Sequence, residues 1–109
     1  MPYNKILEEK IERVLANWTD VNKKKIFGGV YYLINGNICF GIYREYLVLR
    51  SETQIAQQKL GDGSVKPFNI SGKPMNGWVT VEEADWRSDD AIINWLEIGR
   101  QFALSLPVQ

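Results

Sequence analysis

At 109 residues, 45% hydrophobic and 24% charged, the chain has the size and composition of one globular domain, residues 1–109, with a core that needs no staples. Having no histidine and one cysteine, it cannot form an internal disulfide, and it lacks the commonest general base and metal ligand. Hydrolytic triads and zinc sites are therefore not expected, the lone cysteine fits a reducing cytoplasm, no apolar run is long enough for a membrane span, and Met1–Asn17 is too charged to read as a signal peptide.

The formal charge is zero, but it is unevenly spread. Residues 20–80 hold eight Lys/Arg against Asp20, Glu45, Glu52 and Asp62, whereas residues 81–109 hold six acids against Arg87 and Arg100. Either the two halves pair within the fold, or a basic face is offered to a nucleic acid or an acidic partner. No aromatic-interleaved arginine stripe is present, and the final helix is poor in basic residues, so direct nucleic-acid binding is not expected.

The first element reads as a helix over Asn4–Trp18, with Asn4 as N-cap and Leu7, Ile11, Val14, Leu15 and Trp18 at helical spacing. Thr19-Asp20 and Asn22 suit a turn, and Lys23-Lys24-Lys25 precedes the first strand. Within that strand Gly28-Gly29 suggests a bulge or a close backbone approach. A phosphate-cradling loop is disfavoured, because the lysines come before the glycines and no helix N-terminus follows.

Two apolar runs, Val30–Ile34 and Ile38–Ile42, flank Asn35-Gly36-Asn37. Asn-Gly between such runs predicts a type I′ hairpin, because both central residues must take positive φ. The register then sets Ile34 against Asn37, Leu33 against Ile38 and Tyr31 against Phe40. Both hairpin faces are apolar. The face with Tyr32, Ile34, Ile42 and Tyr43 would meet a second copy in a homodimer, or be covered by long side chains or a helix. Cys39, inside a strand, reads as a small packing residue.

A third strand is expected at Tyr46–Arg50 after a turn at Arg44-Glu45. A short polar helix follows over Glu52–Leu60, with Ser51 as N-cap, Gln54 completing a capping box and Gly61 as left-handed stop. Val65–Ile70 reads as an edge strand broken by Pro67, and Trp78–Val81 is the fifth strand, with Val79 and Val81 on one face. Ser88 caps the last helix, whose stripe takes in Ile92, Trp95, Leu96, Gly99, Phe102, Ala103 and Leu106; Pro107 ends it. Trp18, Trp95 and Phe102 are expected in the core, and Gly99 should let that helix lie close on the sheet. The fold class is α+β: an antiparallel sheet of about five strands, N- and C-terminal helices packed on it, and a short helix inserted after strand three.

Lys25-Ile26-Phe27-Gly28-Gly29, the Asn35-Gly36-Asn37 turn, Gly41, Leu49-Arg50, Gly72-Lys73-Pro74-Met75-Asn76-Gly77-Trp78-Val79, Trp95 and Phe102–Pro107 together resemble the TfoX (Sxy) N-terminal domain family. That resemblance implies a cytoplasmic bacterial α+β domain of competence and transcription regulators, acting alongside the cyclic-AMP receptor protein. It supplies no catalytic residues, cofactor or metal. Full-length members add a C-terminal helical domain that is not found in these 109 residues.

Two classes of function follow: a non-catalytic regulatory or protein-interaction domain, or a small-molecule binder or small enzyme using Lys73, tyrosines and Cys39. Any binding surface is expected where Phe27, Gly28 and Gly29 meet Lys73, Pro74 and Met75. In that surface Lys73 would hold an anionic partner, against the plainer reading of a bulge, a tight turn and a core plug.

Overall fold

The computed structural model describes residues 3–26, 28–68 and 76–108. Helix α1 (Lys5–Leu15) starts where expected: the Asn4 side chain accepts from the Ile6 and Leu7 amides at 2.9 and 3.1 Å, satisfying two of the helix's free donors. It stops three residues short of Trp18, and the chain then enters strand β1 (Val21–Ile26), which the sequence reading did not anticipate. Strands β2 (Gly29–Ile34), β3 (Asn37–Tyr43) and β4 (Tyr46–Arg50) follow, then α2 (Thr53–Gly61), β5 (Lys66–Pro67), β6 (Trp78–Val81), α3 (Glu83–Trp86) and α4 (Asp89–Ser105).

The class is α+β as expected. Among the described residues the antiparallel sheet has six strands rather than five, in the order β1-β2-β3-β4-β6-β5, and the inserted helix follows strand four. The extra strand is a solvent-facing edge, Val-Asn-Lys-Lys-Lys-Ile, held by pairing with β2 along its whole length. Lysines on an exposed edge discourage pairing with a further strand. No helix among the described residues is long and apolar enough to cross a membrane.

Three turns fix the meander. Asn35 and Gly36 have φ of 54° and 82°, the pair of positive values a type I′ turn requires. Ile26 pairs with Gly29, so only Phe27 and Gly28 join β1 to β2, and Gly28 has φ 75°. Gly28 therefore serves a turn, while Gly29 serves a close approach, since a Cβ there would collide with the Ile42 carbonyl oxygen. Arg44 takes φ 57° between Tyr43 and Tyr46, a conformation that strains a residue with a Cβ.

The β2–β3 register departs from expectation at one point. Ile34 faces Asn37 and Leu33 faces Ile38, but a shift between Tyr32 and Leu33 then pairs Tyr32 with Phe40 and Tyr31 with Gly41. Cys39 is the extra residue of this bulge. It moves Phe40 onto the helix-covered face beside Tyr32, their ring centroids 5.5 Å apart. Tyr31 is left on the opposite face, in the space that Gly41's missing Cβ provides.

The main core lies between the sheet and helices α1, α3 and α4. It contains Leu7, Ile11, Val30, Tyr32, Ile34, Phe40, Ile42, Leu47, Leu49, Val79, Val81, Trp86, Ile92 and Leu96. Tyr32, Ile34 and Ile42 are thus consumed inside the chain and cannot form the homodimer face considered above, because α1 and α4 cover it. Gly99 behaves as expected: its bare Cα faces the Cys39 carbonyl, and α4 rests directly on β3. Trp18 and Trp95 pack against this core half-buried, whereas the fully buried tryptophan is Trp86 on α3. Phe102 is a correction, since it is half-buried like Trp18 and Trp95 but lies on the flank of α4 and does not pack against the core cluster. A smaller cluster on the other face joins Tyr31, Val48 and Phe68 with Tyr43 and Trp78 at its margin.

Candidate functional site

Of the expected surface residues, Phe27, Lys73, Pro74 and Met75 lie outside the described residues. Gly28 and Gly29 sit at the β1–β2 end of the sheet, next to the end of β3. Gly77, which bounds the second segment, lies at the opposite end: Trp78 pairs with Arg50, the last residue of β4, and the Gly77 carbonyl accepts from the Ser51 amide at 2.8 Å. Gly77 has φ 83°, and a Cβ on it would press on the Ser51 carbonyl oxygen at 2.7 Å. The two glycine anchors therefore do not converge, and both are explained by backbone geometry.

The sheet end marked by Gly77 instead carries a groove. Ser51 leaves β4 and leads into α2, which runs beside the second half of α4 without closing on it. Ile55, Ile98 and Phe102 form the apolar lining of a cleft of about 420 Å³, with Ser51, Gln101 and Ser105 as polar points and Glu52 and Glu97 as its acidic groups. Arg50 stacks at its base, its guanidinium 5.2 Å from the Phe102 ring centroid and 5.4 Å from that of Trp78. That stacking gives the Phe102 ring a cationic neighbour outside the apolar lining of the cleft.

Local sequence explains why the cleft stays open. Helix α2 is polar, with Ala56 as its one buried residue. Ser51 does not cap it: its hydroxyl donates to the Glu52 carbonyl at 3.3 Å, and Glu52, at the N-cap position, makes no side-chain cap. The left-handed stop falls at Gly63, φ 81°, two residues beyond Gly61, and the Asp62 carboxylate accepts from the Ser64 amide at 2.8 Å. A helix with so small an apolar stripe cannot seat deeply against α4.

The polar chemistry elsewhere is structural. Lys23 on β1 reaches Glu8 at 2.8 Å and Glu12 at 2.9 Å, and Tyr32 donates to Glu12 at 2.8 Å, tying α1 to the edge of the sheet. The hydrogen bond from Lys23 holds the Glu8 carboxyl below its ordinary range, and desolvation pushes the Tyr32 phenol well above its own. Cys39 is fully buried; burial pushes its thiol up to about 12, and its Sγ–H donates to the Tyr32 carbonyl at 3.2 Å. Such a thiol stays protonated at neutral pH and is a packing residue, as expected. Among the described residues, no three His, Cys, Asp or Glu side chains are grouped as metal ligands would be.

Sequence reasoning missed the groove because Phe102 was placed in the buried stripe. At 100° per residue, Ile92, Leu96, Gly99 and Ala103 cluster on one line and Phe102 falls roughly 90° to its side, a signal present in the sequence. No curated protein matches the chain. The TfoX N-terminal domain family model matches residues 13–103, from the last turn of α1 almost to the end of α4, and so spans the whole sheet. With the match covering most of its length, the chain belongs to the TfoX N-terminal domain family.

Proposed function

We propose that this protein is a non-catalytic, cytoplasmic interaction domain of bacterial regulatory type, like the N-terminal part of TfoX competence and transcription regulators. Its partner is a protein, and the groove between α2 and α4 is the surface that takes it. The observation that carries this reading is the chemistry of the groove: an apolar floor of Ile55, Ile98 and Phe102 beside Glu52 and Glu97, at the outside of a finished core. An amphipathic segment with two or three apolar anchors and flanking lysines or arginines complements that pattern. The Phe27–Gly29 turn with Lys73, Pro74 and Met75 is a separate proposal, resting on the sequence, for an anionic partner.

The volume of about 420 Å³ also lies within the usual range for ligand pockets, which favours a small apolar molecule as the second reading. Selection of displayed peptides on the wild-type protein, counter-selected on Phe102→Asp and Ile55→Asp, separates the two. Recovered peptides with apolar anchors and basic flanks, lost with either variant, support the interaction domain. If no peptide depends on either residue, while an apolar dye is displaced from the groove by small molecules, the second reading replaces it.

A further inference from the structure

The flank of α4 that borders α1 carries a self-complementary stripe, of which Glu97 also reaches the edge of the groove. Ile93, Glu97, Arg100 and Leu104 follow one another at spacings of four, three and four residues, the interval that keeps side chains on one seam between paired helices. Ile93 and Leu104 are 42% and 41% exposed, among the largest exposed hydrophobics of the chain. The Glu97 and Arg100 side chains are 42% and 32% exposed and meet each other only at 3.9 Å, the outer limit of an ion pair. Arg100 lies over the Trp18 ring at 4.9 Å, and its buried Nε has no hydrogen-bond partner among the described residues. Beside the stripe runs a shallow channel of about 300 Å³ between α1 and α4, lined by Val14, Asn17, Trp18 and Ile93 among others.

The order along the stripe is apolar, acidic, basic, apolar, and it reads with opposite charge from its two ends. We infer that the chain forms a homodimer in which this stripe of α4 packs antiparallel against the same stripe of a second copy. A two-fold axis between Glu97 and Arg100 places Ile93 against the partner's Leu104 and Glu97 against the partner's Arg100, each contact made twice. A parallel pairing would set Glu97 on Glu97 and Arg100 on Arg100, so charge selects the antiparallel arrangement. The Ile55 and Phe102 walls of the groove lie on the other flank and stay free, and Glu97 alone is shared by the two surfaces. Helix α4 is about 25 Å long. A contact along one helix and its channel falls at the small end of stable interfaces, so dissociation is expected on the order of 10 µM. With exposed ion pairs at its centre, the dimer weakens as salt rises.

Sedimentation velocity of the full chain at about 1 and 100 µM tests this, in the range set by that affinity. The wild type should pass from monomer to dimer. Glu97→Arg alone and Arg100→Glu alone should each raise the dissociation constant by about 100-fold, because each creates like-charge contacts across the axis. Mixing the two variants in equal amounts should restore a dimer, as should the double variant E97R/R100E, since opposite charges meet again in both. Circular dichroism checks that each variant is folded; if Arg100→Glu unfolds through loss of its Trp18 contact, Ile93→Lys takes its place and must abolish the dimer. A wild type that stays monomeric at the higher concentration overturns the inference. So does a dimer that Glu97→Arg leaves intact, or a mixture of folded single variants that does not associate.

Discussion

Replacing Gly99 by alanine sets two effects of opposite sign against each other, and the structure decides between them. In an exposed helix, alanine at a glycine position is worth about 1 kcal/mol. At residue 99 the new Cβ would overlap the Cys39 carbonyl oxygen and lie 3.1 Å from its carbon and 3.2 Å from Leu49 Cδ1. The leucine can turn aside, but the carbonyl belongs to β3 at the centre of the sheet, so α4 must withdraw by roughly 1 Å. A gap of that size forfeits a quarter to a half of the dispersion contact it opens. It opens beneath Ile92, Leu96 and Ala103 together. Overpacking of this kind costs about 1–3 kcal/mol or more, which exceeds the propensity gain. Because the overlap falls on backbone, the cost lies at the upper end, about 3 kcal/mol, and the net loss is about 2 kcal/mol, equivalent to a fall in Tm of roughly 8 °C for a domain of this length. Gly61→Ala is the matched control: it lies at the end of α2 with nothing within 4 Å of a built Cβ, and it should hold or raise Tm. Thermal unfolding followed by circular dichroism reads both. A Gly99→Ala protein as stable as the wild type would refute the close seating of α4 on β3.

The buried tryptophan of α3 and the aromatic of the groove should separate in urea. Trp86→Ala, removing a side chain 1% exposed, should lose about 3–5 kcal/mol, whereas Phe102→Ala on the groove wall should lose about 1 kcal/mol; equal losses would place Phe102 in the core. Arg44→Gly relieves φ 57° between Tyr43 and Tyr46 and should stabilise by a few tenths to about 1 kcal/mol, measured by the same titration; a loss would show that the Arg44 side chain stacked on Tyr43 outweighs the strain. Glu8, whose carboxyl is held low chiefly by the hydrogen bond from Lys23, contributes stability that is present above the unfolded glutamate value near about 4.3 and is lost as pH falls through the lower folded value. Lys23→Met should therefore reduce stability at pH 7 and flatten the decline between about pH 5 and pH 3, and an unaltered acid limb would show that the Lys23–Glu8 contact is unimportant.

The parts of the fold that could be read from sequence are those with a local cause. Asn35-Gly36 is legible because few residues other than asparagine and glycine take two consecutive positive φ values. Asn4 and Ser88 are legible as caps because their short oxygens reach the free amides of the helix they precede. Strand β1 was not legible. Val-Asn-Lys-Lys-Lys-Ile has no apolar alternation, and only the neighbouring β2 makes it a strand. The Cys39 bulge is likewise tertiary: it puts Phe40 in the core under the helices, and Gly41 leaves space for Tyr31 on the far face. Of the expected Phe27–Gly29 and Lys73–Met75 surface, only Gly28 and Gly29 lie within the described residues, and there a turn and a close backbone approach account for them. The groove was half legible, since the flank position of Phe102 follows from helical angle, whereas the shallow seating of α2 that leaves it open does not.

The central claim is that the groove between α2 and α4 receives a protein segment. The most direct measurement is an amide NMR titration of the 15N-labelled protein with a peptide recovered by the selection described above. The account predicts saturable shifts confined to Ser51–Ile55 and Glu97–Ser105, abolished by Phe102→Asp with the rest of the spectrum retained. Shifts centred instead on Tyr31, Tyr43 and Val48 across the opposite sheet face, or shifts that survive Phe102→Asp, would contradict it.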